Sequence, residues 1–186
     1  MKYFLFYSPK PLVKDTLRHV FEEAYQENIS LELSDQQSGY IYADDFFLET
    51  IELLLPMISN DLGINLTFLV THLPDAPLVK EAFKRVRRFG QGVYHLADVV
   101  LDAMQKHDQP FLNKFRQSFD DVPHELMLTA KMLIRCGLNR SLAARKLYVH
   151  RNTFNYRLNK FIELTNLDIR DYFNAQFFYL FTQIER

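Results

Sequence analysis

Short apolar runs bounded by turn residues fill the first part of the chain, and helical periodicity fills the rest. Tyr3–Tyr7 is aromatic and apolar and stops at Ser8-Pro9, the signature of a strand. Leu12–Gln26 places Leu12, Thr16, His19, Val20 and Ala24 at helical spacing, which predicts an amphipathic helix. Ile29–Leu33 and Tyr40–Ala43 are short strand-like runs around the turn-rich stretch Ser34–Gly39, which reads as a hairpin loop. Asp44–Asn60 reads as a helix with an Asp cap, Ile64–Thr71 as a strand and Ala76–Phe89 as a basic helix closed by Gly90–Gly92. The order is β-α-β-β-α-β followed by a helix, the split arrangement of ferredoxin-like and palm-type folds. Val93–Lys106 predicts a short extended piece running into a helix, and no strong strand follows.

Three stretches with helical period come next, ahead of an aromatic-rich final one. In the first, Leu126, Thr129, Ala130, Leu133 and Ile134 make one apolar stripe, with Pro123 near its start and Gly137 just past its end. The second, Leu142–Leu147, is short. Asn139 or Ser141 can cap it, and Ala143-Ala144 supplies small side chains for a close helix crossing. After a break at Tyr148-Val149-His150, the third runs from about Arg151 to Thr165, with Phe154, Leu158, Phe161 and Ile162 as its stripe. Its other faces show Arg151, Asn152, Asn155, Tyr156, Arg157, Asn159 and Lys160.

Composition adds little about class: 48% hydrophobic and 24% charged residues describe an ordinary globular chain. The apolar runs are far short of the roughly 20 residues that span a bilayer, so no membrane association is expected. Met1–Tyr7 lacks a small-residue cleavage site and reads as a strand, not a signal peptide. The single Cys136 leaves no internal disulfide and reads as a small core residue at a helix end. A soluble, cytoplasmic protein is expected. Charge changes the picture more. The net value of −1 conceals a stretch from Lys131 to Ile162 with eight basic residues and no acidic one. That asymmetry suggests a polyanion partner for this segment alone, and the change of balance near Asp120-Asp121-Val122-Pro123 marks the expected linker.

A surface of this kind suits a recognition helix. Arg pairs with guanine and Asn with adenine in the major groove, Thr153 at a helix start suits a phosphate, and basic side chains from Arg140 to Lys160 supply salt-dependent affinity. An inert three-helix bundle with a polar face would share the periodicity. The stretch Asn139–Leu158, with its core Val149-His150-Arg151-Asn152-Thr153 followed by Tyr156-Arg157-Leu158, closely resembles the C-terminal helix-turn-helix of the PucR/CdaR-type regulators. The likeness continues through Ile162–Ile169 and covers about 60 residues; a remoter likeness to the Fis-type helix-turn-helix points the same way. What the resemblance implies is sequence-specific binding of double-stranded DNA, generally as a homodimer. It puts His150, Arg151 and Asn152 nearest the bases and Thr153 and Arg157 at the backbone. Arg140, Ser141, Asn155, Tyr156 and Lys160 complete the expected DNA-binding set. Tyr148 stands at a turn position that is often Gly in other helix-turn-helix units.

Regulators of that type often carry a degenerate diguanylate-cyclase-like (GGDEF-type) domain before the helix-turn-helix, and the split topology and Gly92-Val93-Tyr94 weakly resemble one. The hairpin loop here is Ser34–Gly39 rather than Gly-Gly-Asp/Glu-Glu-Phe, and Tyr3–Tyr7 lacks an aspartate to hold magnesium. Two-metal phosphoryl chemistry therefore has no foundation. The six histidines show no metal-site spacing, and Asp44-Asp45 reads as a helix cap rather than an acid/base pair. No enzyme activity, cofactor or metal is expected.

The expected fold is α+β, with a split N-terminal domain (1–120) serving as sensor or dimerisation domain and an all-α helix-turn-helix domain (121–186). The aromatic helix around Tyr172–Phe181 either packs on its neighbours or forms a dimer seam. Two rivals to DNA-binding regulation stand: an interaction protein that keeps the helix-turn-helix fold, and a nucleotide sensor centred on the N-terminal domain. A small-molecule or protein effector at that domain is compatible with the leading reading.

Overall fold

The computed structural model describes residues 1–25 and 29–184. The chain forms two compact units, Met1–Val99 and Val100–Arg186. The first unit runs β1 (Lys2–Tyr7), α1 (Lys14–Tyr25), β2 (Ser30–Leu33), β3 (Ser38–Ala43), α2 (Phe46–Leu62), β4 (Thr67–Thr71), α3 (Pro77–Val86) and β5 (Gly92–His95). The sheet order is β2-β3-β1-β4-β5. β1 is antiparallel to both β3 and β4, while β4 and β5 are parallel. The first four strands therefore have the split arrangement expected from the sequence. The extended piece expected near Val93 is the fifth strand, with Val93 opposite Phe68.

Alternation along β1 explains the core. Phe4 and Phe6 point to the face covered by α1 and α2, where their rings meet Phe47 at 4.9 Å and Phe68 at 5.8 Å. On α1 the buried stripe is Leu17, Phe21 and Tyr25. Thr16, His19 and Ala24, expected on the inner face, are exposed. The helix is where periodicity placed it, but its largest apolar side chains, four residues apart, decide which face turns inward. Gln26, its expected last residue, lies outside the described residues. At Gly39 any side chain would collide with the Glu32 carbonyl, 2.1 Å from where a Cβ would lie, so the hairpin requires glycine there.

The carboxylates singled out in this unit are structural. Asp35 accepts hydrogen bonds from the N–H groups of Gln37 and Ser38 and from the Ser38 hydroxyl, which tie up the hairpin loop. The Ser38 hydroxyl, foremost, holds its carboxyl below the ordinary value. Asp44 accepts from the N–H groups of Phe46 and Phe47 at the start of α2 and from the Tyr25 hydroxyl, and that hydroxyl is the main cause of its lowered pKa.

The second unit takes in most of α4 (Leu96–Gln105), then α5 (Gln109–Gln117), α6 (His124–Arg135), α7 (Arg140–Lys146), α8 (Arg151–Thr165) and α9 (Tyr172–Ile184). The junction expected at Asp120–Asp121 lies inside this unit. Aromatic packing is the reason: Phe115 and Phe119, just before the junction, meet Phe177 at 4.7 Å and Phe181 at 4.4 Å. Charge balance marks where sequence character changes, whereas the unit boundary follows the rings. The aromatic surface of α9 is largely spent here, since Phe177, Phe178 and Phe181 are buried and Phe178 also packs on Phe161. Tyr172 and Tyr179 stay exposed.

Candidate nucleic-acid interface

α6, α7 and α8 pack pairwise on one another. The stripes that join them are Leu126, Thr129, Ala130 and Leu133 on α6, Ala143 and Ala144 on α7, and Phe154, Leu158 and Phe161 on α8, all buried. Ile134 and Ile162, expected in the stripes, are half-buried at their edges. The Thr129 hydroxyl donates to the Glu125 carbonyl one turn back, which satisfies its burial.

Both turns of the motif follow one backbone rule. After α6, Gly137 (φ 59°) donates to the Ile134 carbonyl and Leu138 to the Leu133 carbonyl. After α7, Tyr148 (φ 55°) donates to the Arg145 carbonyl and Val149 to the Ala144 carbonyl. Each is a left-handed helix end that satisfies orphan carbonyls. Tyr148 thus adopts the conformation that glycine takes most readily, and its side chain is 96% exposed. Asn139 caps α7 through its side-chain oxygen to Leu142 N–H at 3.0 Å. His150 caps α8 through Nδ1, which accepts from Asn152 N–H at 3.2 Å.

The caps and turns set which polar groups face outward. Arg140, Ser141, His150, Arg151, Asn152, Thr153 and Tyr156 are exposed. On α8, Asn152, Tyr156 and Asn159 follow at i, i+4 and i+7, so they line the ridge opposite the buried stripe. Asn155 is half-buried beside that ridge. Arg157 is also half-buried, and its guanidinium lies 2.8 Å from the Glu125 carboxylate on α6. Lys160 pairs with Glu163 at 2.6 Å, and the hydrogen bond to that carboxylate raises its pKa. The expected set therefore falls in two groups: an open cluster at the start of α8 and around α7, and two cations already engaged by carboxylates.

Tyr148 was not in the expected set, and Arg145 and Lys146 entered it only among the basic side chains that supply salt-dependent affinity; all three are exposed. Arg140, Arg145, Lys146 and Arg151 form no ion pair among the described residues. Four exposed, uncompensated cations on α7 and at the start of α8 give this stretch a positive charge able to hold phosphates.

Also among the described residues, no helix is long and apolar enough to cross a membrane, and no cluster of His, Cys, Asp or Glu could hold a metal ion.

Residues 126–182 match the PucR C-terminal helix-turn-helix domain. The chain is 45% identical over 51 residues to the uncharacterized protein YxkF of Bacillus subtilis (strain 168), covering 27% of this chain and 17% of that protein. It is 26% identical over 155 residues to a leucine-rich protein of Streptococcus dysgalactiae subsp. equisimilis, covering 72% of this chain and 52% of that one. The chain thus spans about half the length of one curated relative and less of the other. Among solved structures, a regulator of polyketide synthase expression from Bifidobacterium adolescentis aligns with a TM-score of 0.47 and 14% identity, over 98% of this chain and 79% of that one.

Proposed function

We propose that the protein is a cytoplasmic, sequence-specific DNA-binding transcription regulator that acts as a homodimer, with α8 in the major groove. The observation that supports this best is the set of exposed, uncompensated cations Arg140, Arg145, Lys146 and Arg151 on α7 and at the start of α8, in a stretch that matches a PucR-type helix-turn-helix. In this reading His150, Arg151 and Asn152 reach base edges, with Asn155 and Tyr156 next along the helix. Arg140, Ser141 and Thr153 hold phosphates beside the start of α7 or α8. Arg157 and Lys160 reach the backbone once phosphate competes with Glu125 and Glu163 for them. Twofold pairing follows from how such helices read two half-sites one helical turn apart. The unit Met1–Val99 serves dimerisation or the reception of a small-molecule or protein signal, and no catalytic step is assigned to it.

Repeated selection of bound duplexes from a random-sequence DNA library tests the reading. Enrichment of a related set with two half-sites is the expected outcome. A pool that stays random after several rounds would sink sequence specificity.

A further inference from the structure

Helix α2 has two apolar faces, and the fold uses one. Phe47, Ile51, Leu55 and Ile58 are buried in the core. Phe46, Leu53 and Met57, at i, i+7 and i+11, form a line on the opposite side and are 62%, 77% and 57% exposed. Scattered exposed apolar residues are ordinary on a protein surface. Leu53 and Met57 are neighbours one turn apart, and Phe46 lies two turns before Leu53 on the same line; exposed apolar side chains gathered on one face in this way mark an interaction surface. The patch is anchored, because Phe46 leans on the Tyr25 ring at 6.1 Å.

Charge decides what can cover it. Between Arg18 and Lys80 the sequence holds eleven Asp and Glu and no Lys or Arg. On α2 itself Glu49 and Glu52 are exposed beside the apolar line and unpaired among the described residues. The cations at its two ends are engaged: Lys2 pairs with Asp45 at 2.7 Å, and the Lys10 ammonium donates to the Gly63 carbonyl. A second copy seated twofold on this face would bring four carboxylates, Glu49 and Glu52 from each copy, into one interface with no cation of α2 to offset them. An anionic lipid surface or a nucleic acid would be repelled for the same reason. A helix with an apolar stripe flanked by Lys or Arg satisfies both the apolar line and the carboxylates, as flanking charges do in paired helices.

We infer that the outer face of α2 is a docking surface for a cationic amphipathic helix of a partner protein, with Phe46, Leu53 and Met57 taking its apolar stripe and Glu49 and Glu52 its flanking cations. This does not rest on DNA binding by the other unit.

The test uses the full chain and a fluorescent helical peptide of leucine and lysine with one apolar stripe, followed by anisotropy. A serine-for-leucine peptide of equal charge is the control. Saturable binding of the leucine peptide alone is expected, weakened about tenfold by Leu53→Ser/Met57→Ser and, separately, by Glu49→Lys/Glu52→Lys. All four side chains are exposed, and an unchanged thermal midpoint confirms folding of each variant. The inference is overturned if both variants bind as wild type does, if the two peptides bind equally, or if Leu53→Ser/Met57→Ser converts a dimer to a monomer in sedimentation. The last would show that a second copy covers the face. Binding of the chain to phosphatidylglycerol vesicles, lost in the same variant, would overturn it in favour of a lipid surface.

Discussion

Arg157 illustrates how a side chain's identity and its availability can differ. The proposed function puts it at the DNA backbone, yet its guanidinium is held by Glu125. With Glu125 exposed and Arg157 half-buried, the pair is still open to solvent and is worth on the order of 1 kcal/mol, too little to resist a phosphate. Glu125→Gln should therefore leave stability almost unchanged while freeing a phosphate contact. The salt slope of DNA binding, log K against log salt, is expected to steepen by up to about 0.9; an unaltered slope would place Arg157 outside the interface. Asp35 gives a second residue-level prediction. Its folded pKa is depressed, so its stabilisation is complete above the ordinary carboxylate value near 3.8 and disappears as pH falls through the folded value. Asp35→Asn should lower stability at neutral pH and flatten its decline in acid, measured as denaturation midpoints from pH 6 to about pH 2. Neither engagement was legible in the sequence, because Glu125 and Arg157 lie on different helices and Asp35 looked like any turn residue. The break at Tyr148–His150 and the candidate caps of α7 were legible, since cap and turn residues sit close together in the chain.

Elements were read most reliably where period and caps agreed. α8 runs Arg151–Thr165, the span predicted, because Phe154, Leu158 and Phe161 fix its face and the break at Tyr148–His150 fixes its start. On α1, the weaker line through Thr16, His19 and Ala24 lost to Leu17, Phe21 and Tyr25. β5 is four residues long and opens with Gly92, too brief for alternation to declare itself. Two predictions belong at this scale. His150→Ala removes the side-chain cap of α8 and should cost about 1 kcal/mol, while His150→Asn, which keeps an acceptor, should cost less. Thermal denaturation distinguishes them, and equal midpoints for the two variants would refute the cap. In the aromatic core, Phe178→Ala leaves a cavity beside Phe119, Phe161 and Phe181. A loss of about 3–5 kcal/mol is expected, and the same measurement would show a much smaller loss if α9 packed elsewhere.

At the scale of the whole molecule, an acidic α/β unit and a basic helical unit share one chain whose net charge is close to zero. The near-neutral total hides both fields, and their separation along the sequence made two units legible before their boundary was. The boundary itself depends on which rings meet, which periodicity cannot report across the turns at Phe119–Pro123. In the proposed function, the defining property of the open cluster around α8 is that it reads base sequence as well as phosphates. Its most direct test is an anisotropy titration of the full chain against a library-enriched duplex and a scrambled duplex of equal composition, at about 50 and 200 mM salt. Binding of the enriched duplex is expected to be at least about a thousandfold tighter and to weaken steeply with salt, with Arg151→Ala removing roughly 1–3 kcal/mol of that preference. Equal affinity for the two duplexes, or no binding to either at the lower salt, would contradict it.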